Sequence, residues 1–317
     1  MFYLDEPPRV VPTRVFSTMP ARFRQTGVRS AWANANKAGQ SVDSFLEGPA
    51  FDAQGRLYVV DIPFGRIFRI EGGEGGQGGG ESERDWTLVA QYEGEPNGLK
   101  FHPDGRILIA DYRNGIMQLD PQSGRVEPLL TSRNGESFKG CNDLAIAANG
   151  DIYFTDQGQT GLQDPTGRVY RLRADGRLDC LLSNGVSPNG LVLDPSGRVL
   201  YVAMTRDNAV WRVPLLDNGG TAKVGRFCSL FGTSGPDGLA MDEAGNLYVA
   251  HASLGHVFVF APNGACIARV KSCAGETVTN LAFGGPQRKQ IFITESKSGN
   301  VLVADAIAPG IALPRVA

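Results

Sequence analysis

The sequence predicts an all-β fold, a six-bladed β-propeller of four-stranded antiparallel blades, and three observations carry that reading. First, six short apolar strands open on an oxygen-bearing side chain: Glu47-Gly48-Pro49, Pro96-Asn97-Gly98-Leu99, Asn142-Asp143-Leu144, Pro188-Asn189-Gly190-Leu191, Pro236-Asp237-Gly238-Leu239 and Thr279-Asn280-Leu281. Their acidic or amide residues, ending with Asn280, recur every 43 to 50 residues, a period that belongs to propeller arrays. Second, each opening is followed by the same succession of turn and strand. Third, 41 glycines and 19 prolines in 317 residues suit many short strands joined by tight turns.

Residues 236–271 show one blade. Strand A covers 238–242 and ends in the turn Glu243-Ala244-Gly245-Asn246, where glycine supplies a positive φ. Strand B, 247–250, is aromatic and β-branched. Strand C, 256–260, alternates, and Pro262-Asn263-Gly264 turns the chain into strand D, 266–270. The first turn recurs as Asp52-Ala53-Gln54-Gly55, Pro103-Asp104-Gly105, Ala148-Asn149-Gly150 and Pro195-Ser196-Gly197, and strand B as 57–60, 107–110, 152–155, 199–203 and 291–294. Only parts of 19–36 carry a weak helical period. The sixth blade has A, B and C (300–304) but no D, and Arg14-Val15-Phe16-Ser17 is the strand expected to close it, removing two free edges.

This topology predicts one domain over 1–317, with 18–44 an insertion across the top face, where the A strands begin. The glycine-rich run 72–80 joins C to D of blade 1 and falls on the bottom face. No helix or Lys-Ser/Thr follows it, so it does not read as a phosphate cradle. The loop 156–167 is long and lies on top.

A net charge of −2 gives no electrostatic argument for nucleic acid or an anionic membrane. No apolar run approaches the roughly 20 residues of a membrane helix. Charged residues near the start (Asp5, Glu6, Arg9, Arg14) replace the apolar core of a secretory signal. Five scattered cysteines lack zinc-like spacing and read as reduced thiols. A cytoplasmic protein is expected.

At the axis, Glu47, Asn142, Asn189 and Asp237 offer carboxylate and amide oxygens, which suit Ca²⁺ first and Mg²⁺, Mn²⁺ and Zn²⁺ in decreasing order. Taken singly, Asn or Asp before glycine builds a turn; Glu47 is no turn former, and convergence on one axis points to a divalent cation. Asn97, Asn142, Asp156 and His251 are the expected substrate contacts, and Asp61, Asp111 and Glu295, at the ends of B strands, could also meet substrate hydroxyls.

The segment Phe45-Leu46-Glu47-Gly48-Pro49-Ala50-Phe51, with Asn142-Asp143, Asn149-Gly150-Asp151-Ile152-Tyr153-Phe154-Thr155-Asp156, Pro188-Asn189-Gly190-Leu191 and Pro236-Asp237-Gly238-Leu239, resembles the motifs of the SMP-30/gluconolactonase family in order and spacing, over roughly residues 44–306. The resemblance implies a six-bladed propeller that binds a divalent cation through Glu47, Asn189 and Asp237, with Asn142 on metal or substrate. It further implies hydrolysis of a small lactone, such as an aldonolactone. Asp237, which opens blade 5 without an adjacent cation, is the candidate catalytic base to take a proton from water. The chain departs from the animal members, which carry an arginine where Gly140 stands. A diisopropyl-fluorophosphatase-like hydrolase of organophosphates or esters shares such a metal site and is the alternative enzyme; a non-enzymatic binding propeller is the other alternative.

Overall fold

The computed structural model describes residues 6–71 and 84–312; the glycine-rich run 72–80 lies outside them. Blade 1 comprises Leu46–Phe51, Leu57–Asp61, Arg66–Ile70 and Trp86–Gln91, each strand antiparallel to the last. The other blades repeat this order from the inner strands Pro96–Phe101, Cys141–Ile146, Pro188–Leu193, Pro236–Met241 and Val278–Gly284. The inner strands pack side by side in a closed ring, the sixth against the first. The fold is the all-β six-bladed propeller the repeat predicts.

Closure is by the expected strand: Arg14–Thr18 pairs antiparallel with Asn300–Asp305, completing blade 6. A second N-terminal strand, Arg9–Pro12, was not anticipated. It pairs parallel with Cys266–Lys271 as a fifth strand of blade 5.

Strand side chains alternate between faces, and this alternation builds the core. In blade 1, Leu57 and Val59 pack against Phe292, Val301 and Val303 of blade 6, while Tyr58 and Val60 pack against Leu99, Ile107 and Ile109 of blade 2. Four further clusters fill the remaining blade interfaces. The cohesion lies between blades, so the ring stands or falls as a whole.

Between the closing strand and blade 1 the chain forms a short helix, Ala31–Asn36, capped by Ser30, whose Oγ accepts from the Ala33 amide at 3.1 Å. Trp32 and Ala33 are buried with the blade 1–blade 2 cluster, Trp32 at 4.7 Å from the Phe45 ring. The Met19 amide donates to the Gly299 carbonyl at 2.9 Å, and Arg24 pairs with Asp43 at 2.9 Å. Among the described residues, no helix is long and apolar enough to cross a membrane.

Candidate active site

Each inner strand carries a β-bulge where it opens, with shifted registers at Glu47/Ala50, Pro96/Gly98, Cys141/Leu144, Pro188/Leu191, Pro236/Leu239 and Val278/Asn280. A bulge re-aims the local side chain. Leu46, Pro96, Cys141, Pro188, Pro236 and Val278 all pair with the last residue of their B strand. The next residue in each is therefore equivalent around the ring: Glu47, Asn97, Asn142, Asn189, Asp237 and Thr279. In blade 6 the equivalent is Thr279, not the Asn280 that the repeat count uses.

The following position is glycine in four blades, and Asp143 and Asn280 stand in the other two. Their side chains occupy the space that the glycines leave. A Cβ on Gly98 would meet Asp143 Oδ1 at 2.4 Å, and one on Gly238 would meet Asn280 Oδ1 at 2.2 Å. Gly48 and Gly190 are held as tightly, against the carbonyls of Asn97 and Asp237, each at 2.3 Å. Asn280 Nδ2 donates to Glu47 Oε2 at 2.8 Å and reaches Asp143 Oδ2 at 3.5 Å, while Lys100 Nζ lies 3.6 Å from Asp143 Oδ1. Asp143 and Asn280 thus floor the ring beneath the openers.

Burial governs the electrostatics. It pushes the Glu47 carboxyl up from its ordinary range, against the pull of the Gly48 amide and Asn280. It raises Asp237 well above that range, and repulsion from Glu47 adds to it; Lys37 and the Asn189 amide oppose. Lys37 follows the helix, its Nζ 4.2 Å from the Phe45 ring centroid. Its pKa is lowered by burial, with Asp237 opposing and Arg206 assisting. Asn189 Oδ1 is buried without a hydrogen-bond partner. Glu47, Asn189 and Asp237 are thereby brought together: two carboxyls that repel, and an amide oxygen with nothing to accept. Such a set fits a cation with hard oxygen ligands. No group of three or more His, Cys, Asp or Glu side chains among the described residues forms a metal cluster; the axial donor set depends on amides.

The remaining candidates lie elsewhere. Asn97 is buried in the ring. Asn142 turns aside to donate to Gln157 Oε1 at 2.8 Å, and Gln157 Nε2 donates to Ser187 Oγ at 2.9 Å. Asp156 is fully buried and accepts from the Gly140 amide at 2.9 Å. Asp61, Asp111 and Glu295 do the same for Phe45, Glu95 and Thr277, at 2.7, 3.0 and 2.9 Å. Through these bonds the carboxylates ending the B strands clasp the connection entering strand A, while Asp156 Oδ2 is buried without a hydrogen-bond partner. In blade 5 that position belongs to His251, also fully buried. Its Nε2 lies 2.7 Å from the Phe231 carbonyl, so this nitrogen carries the proton, and Nδ1 accepts from the Ser253 amide at 3.4 Å. Both ring nitrogens are engaged.

A cavity of about 390 Å³ opens beside Asn142 and is lined by Gln157, Gln159, Thr160, Gln163, Ser187 and Arg206 among others. Asn36, from the N-terminal helix, also lines it and accepts from Gln159 Nε2 at 3.2 Å. Reading the repeats missed this wall, Lys37 and Arg206, because none of them sits on a repeated motif. The loop 156–167, long where other blades have tight turns, was the one available signal.

The model of the SMP-30/gluconolactonase/LRE-like region matches residues 45–297. A gluconolactonase of Zymomonas mobilis is 31% identical over 277 residues, covering 79% of this chain and 76% of that protein. The lactonase drp35 of Staphylococcus aureus is 28% identical over 256 residues, 78% and 74% of the two chains. Regucalcin of Agrobacterium tumefaciens, described as a calcium-binding protein, shares the fold with a TM-score of 0.72 at 21% identity, over 98% of this chain and all of that one. The motifs that open the blades and the whole-chain comparisons agree: the chain belongs to the SMP-30/gluconolactonase/LRE-like family.

Proposed function

We propose that this protein is a metal-dependent lactonase that opens a small, hydroxylated lactone, of the aldonolactone class, to the hydroxy acid. The observation that carries the metal is the partnerless Asn189 Oδ1 buried beside two mutually repelling carboxyls. Glu47, Asn189 and Asp237, with Asn142 from the equivalent position of blade 3, would hold one divalent cation, Ca²⁺ by the hardness of these oxygens. When bound, the cation supplies Lewis-acid polarisation of the lactone carbonyl.

The chain's own residues do the rest. The amide and hydroxyl wall of the cavity binds a polyol ring and orients it, and residues 18–44, through Asn36, complete that wall as a cover on the top face. Asp237 takes a proton from water as the water oxygen adds to the carbonyl carbon. The ring C–O bond then breaks, and Asp237 returns the proton to the leaving alkoxide, giving a carboxylic acid and a free hydroxyl. The relatives named gluconolactonase and lactonase support this chemistry. The cysteines of the described chain are all free, which suits the reducing cytoplasm.

The test is acid release from a panel of lactones, before and after chelation and with Ca²⁺ restored. Hydrolysis that is lost with chelator and regained with Ca²⁺ is expected. Full activity in chelator would overturn the metal's role, and cleavage of organophosphates without any lactone opening would overturn the substrate class.

A further inference from the structure

We propose that the cavity selects lactones carrying a second, anionic group, a carboxylate or phosphate, held between Arg206 and Lys37. The inference rests on the lactonase reading and narrows its substrate. The residues lining the cavity include one cation, Arg206, and no anion. Arg206 sits in the short helical turn Thr205–Asp207 and is exposed. Among the described residues its guanidinium makes one hydrogen bond, a 3.4 Å contact from Nη1 to the Thr233 carbonyl. Most arginines of the blades behave differently: Arg66, Arg171 and Arg173 are each paired with an aspartate.

Lys37 follows directly on Asn36, which lines the cavity, at the C-terminal end of the short helix. It too has no salt-bridge partner within 4 Å among the described residues. The Trp32 and Phe45 rings lie beneath its ammonium, at 5.6 and 4.2 Å. Lys37 and Arg206 are close enough to repel. Two like charges that repel, one partly buried and one on the cavity wall, are unfavourable until an anion lies between them. Asp237 attracts Lys37, and a cation on the axis would offset that attraction. Arg206 on the wall and Lys37 behind Asn36 would then leave this end of the cavity positively charged.

The experiment compares kcat/KM at low salt for a neutral aldonolactone, an aldarolactone bearing a free carboxylate, and a phosphorylated aldonolactone. The proteins are wild type, Arg206→Gln and Lys37→Gln. Wild type should prefer at least one anionic lactone by tenfold or more, and the two anionic substrates show whether carboxylate or phosphate is the better fit. Each variant should cut that preference at least fivefold, chiefly through KM, and added salt should do the same. A Lys37 that served only as counter-ion to Asp237 would change all three substrates alike; an unchanged ratio in both variants overturns the proposal. Calorimetric binding of the aldarate product gives a readout without turnover. If no lactone opens, the parent reading fails, and equal aldarate binding by wild type and Arg206→Gln would still overturn this one.

Discussion

Asn280 Nδ2 donates a 2.8 Å hydrogen bond to Glu47 Oε2, joining the inner strands of blades 6 and 1 across 233 residues of chain. The bond fixes one carboxyl oxygen of Glu47, which also accepts from the Gly48 amide at 2.7 Å, and leaves the other for the axis. Asn280 is thus a positioning residue. Replacing it with leucine, of similar size but without a donor, should weaken Ca²⁺ binding by about 10–100-fold. Calorimetric titration checks this, and unaltered affinity would show that the Gly48 amide suffices.

Gly238→Ala should destabilise the protein by about 1–3 kcal/mol, because the added methyl meets the Asn280 side chain inside a closed ring. Gly225→Ala is the companion. Its Cβ would meet nothing within 4 Å, so this change should be neutral or stabilising by about 0.4–1 kcal/mol. Urea unfolding of both variants, with the same slope as wild type, separates the two outcomes.

Asp237→Asn should lower kcat by about 10²–10⁴-fold while retaining most Ca²⁺ affinity. An amide oxygen can still ligate a hard cation, but it cannot take a proton from water. A variant with normal kcat would move the base to another group.

His251 predicts an acid-side loss of stability. Burial pushes its pKa from the ordinary 6.5 down to about 4, with His256 adding a smaller repulsion. Between those values the unfolded chain binds a proton that the folded chain refuses. The histidine's contribution is therefore complete above pH 6.5 and is lost as pH falls towards 4, up to about 3 kcal/mol. Unfolding of wild type and His251→Gln at pH 7 and 4.5 tests this. Wild type should lose about 2–3 kcal/mol more than the variant, and parallel losses would contradict it.

Much of the fold was legible because its period and turn chemistry are local. Gly245, Gly105 and Gly150 mark bottom turns in the sequence as plainly as in three dimensions. The N-terminal closing strand was legible by elimination, since blade 6 lacked one. The parallel strand at Arg9–Pro12 was not, because four residues with one buried side chain give no period to read. Glu47, Asn189 and Asp237 could be found because each opens a strand. Asp143 and Asn280 could not be placed, because the bulges that set their depth exist only in the pairing register. The clasps made by Asp61, Asp111, Asp156 and Glu295 could not be read, because they hold backbone amides, which every residue but proline carries and no sequence pattern marks.

The strands that close blade 6 and widen blade 5 come from residues 9–18, and their partners lie at residues 266–271 and 300–305. A chain leaving the ribosome must therefore carry the strands of residues 9–18 unpaired until residues 266–305 have been made. Such late, long-range pairing makes folding slow and leaves sheet edges exposed meanwhile. Once formed, it ties both ends of the described chain into neighbouring blades, so local fraying from either end is suppressed and opening must break the ring itself. Slow synthesis-coupled assembly and slow unfolding are two faces of the same closure.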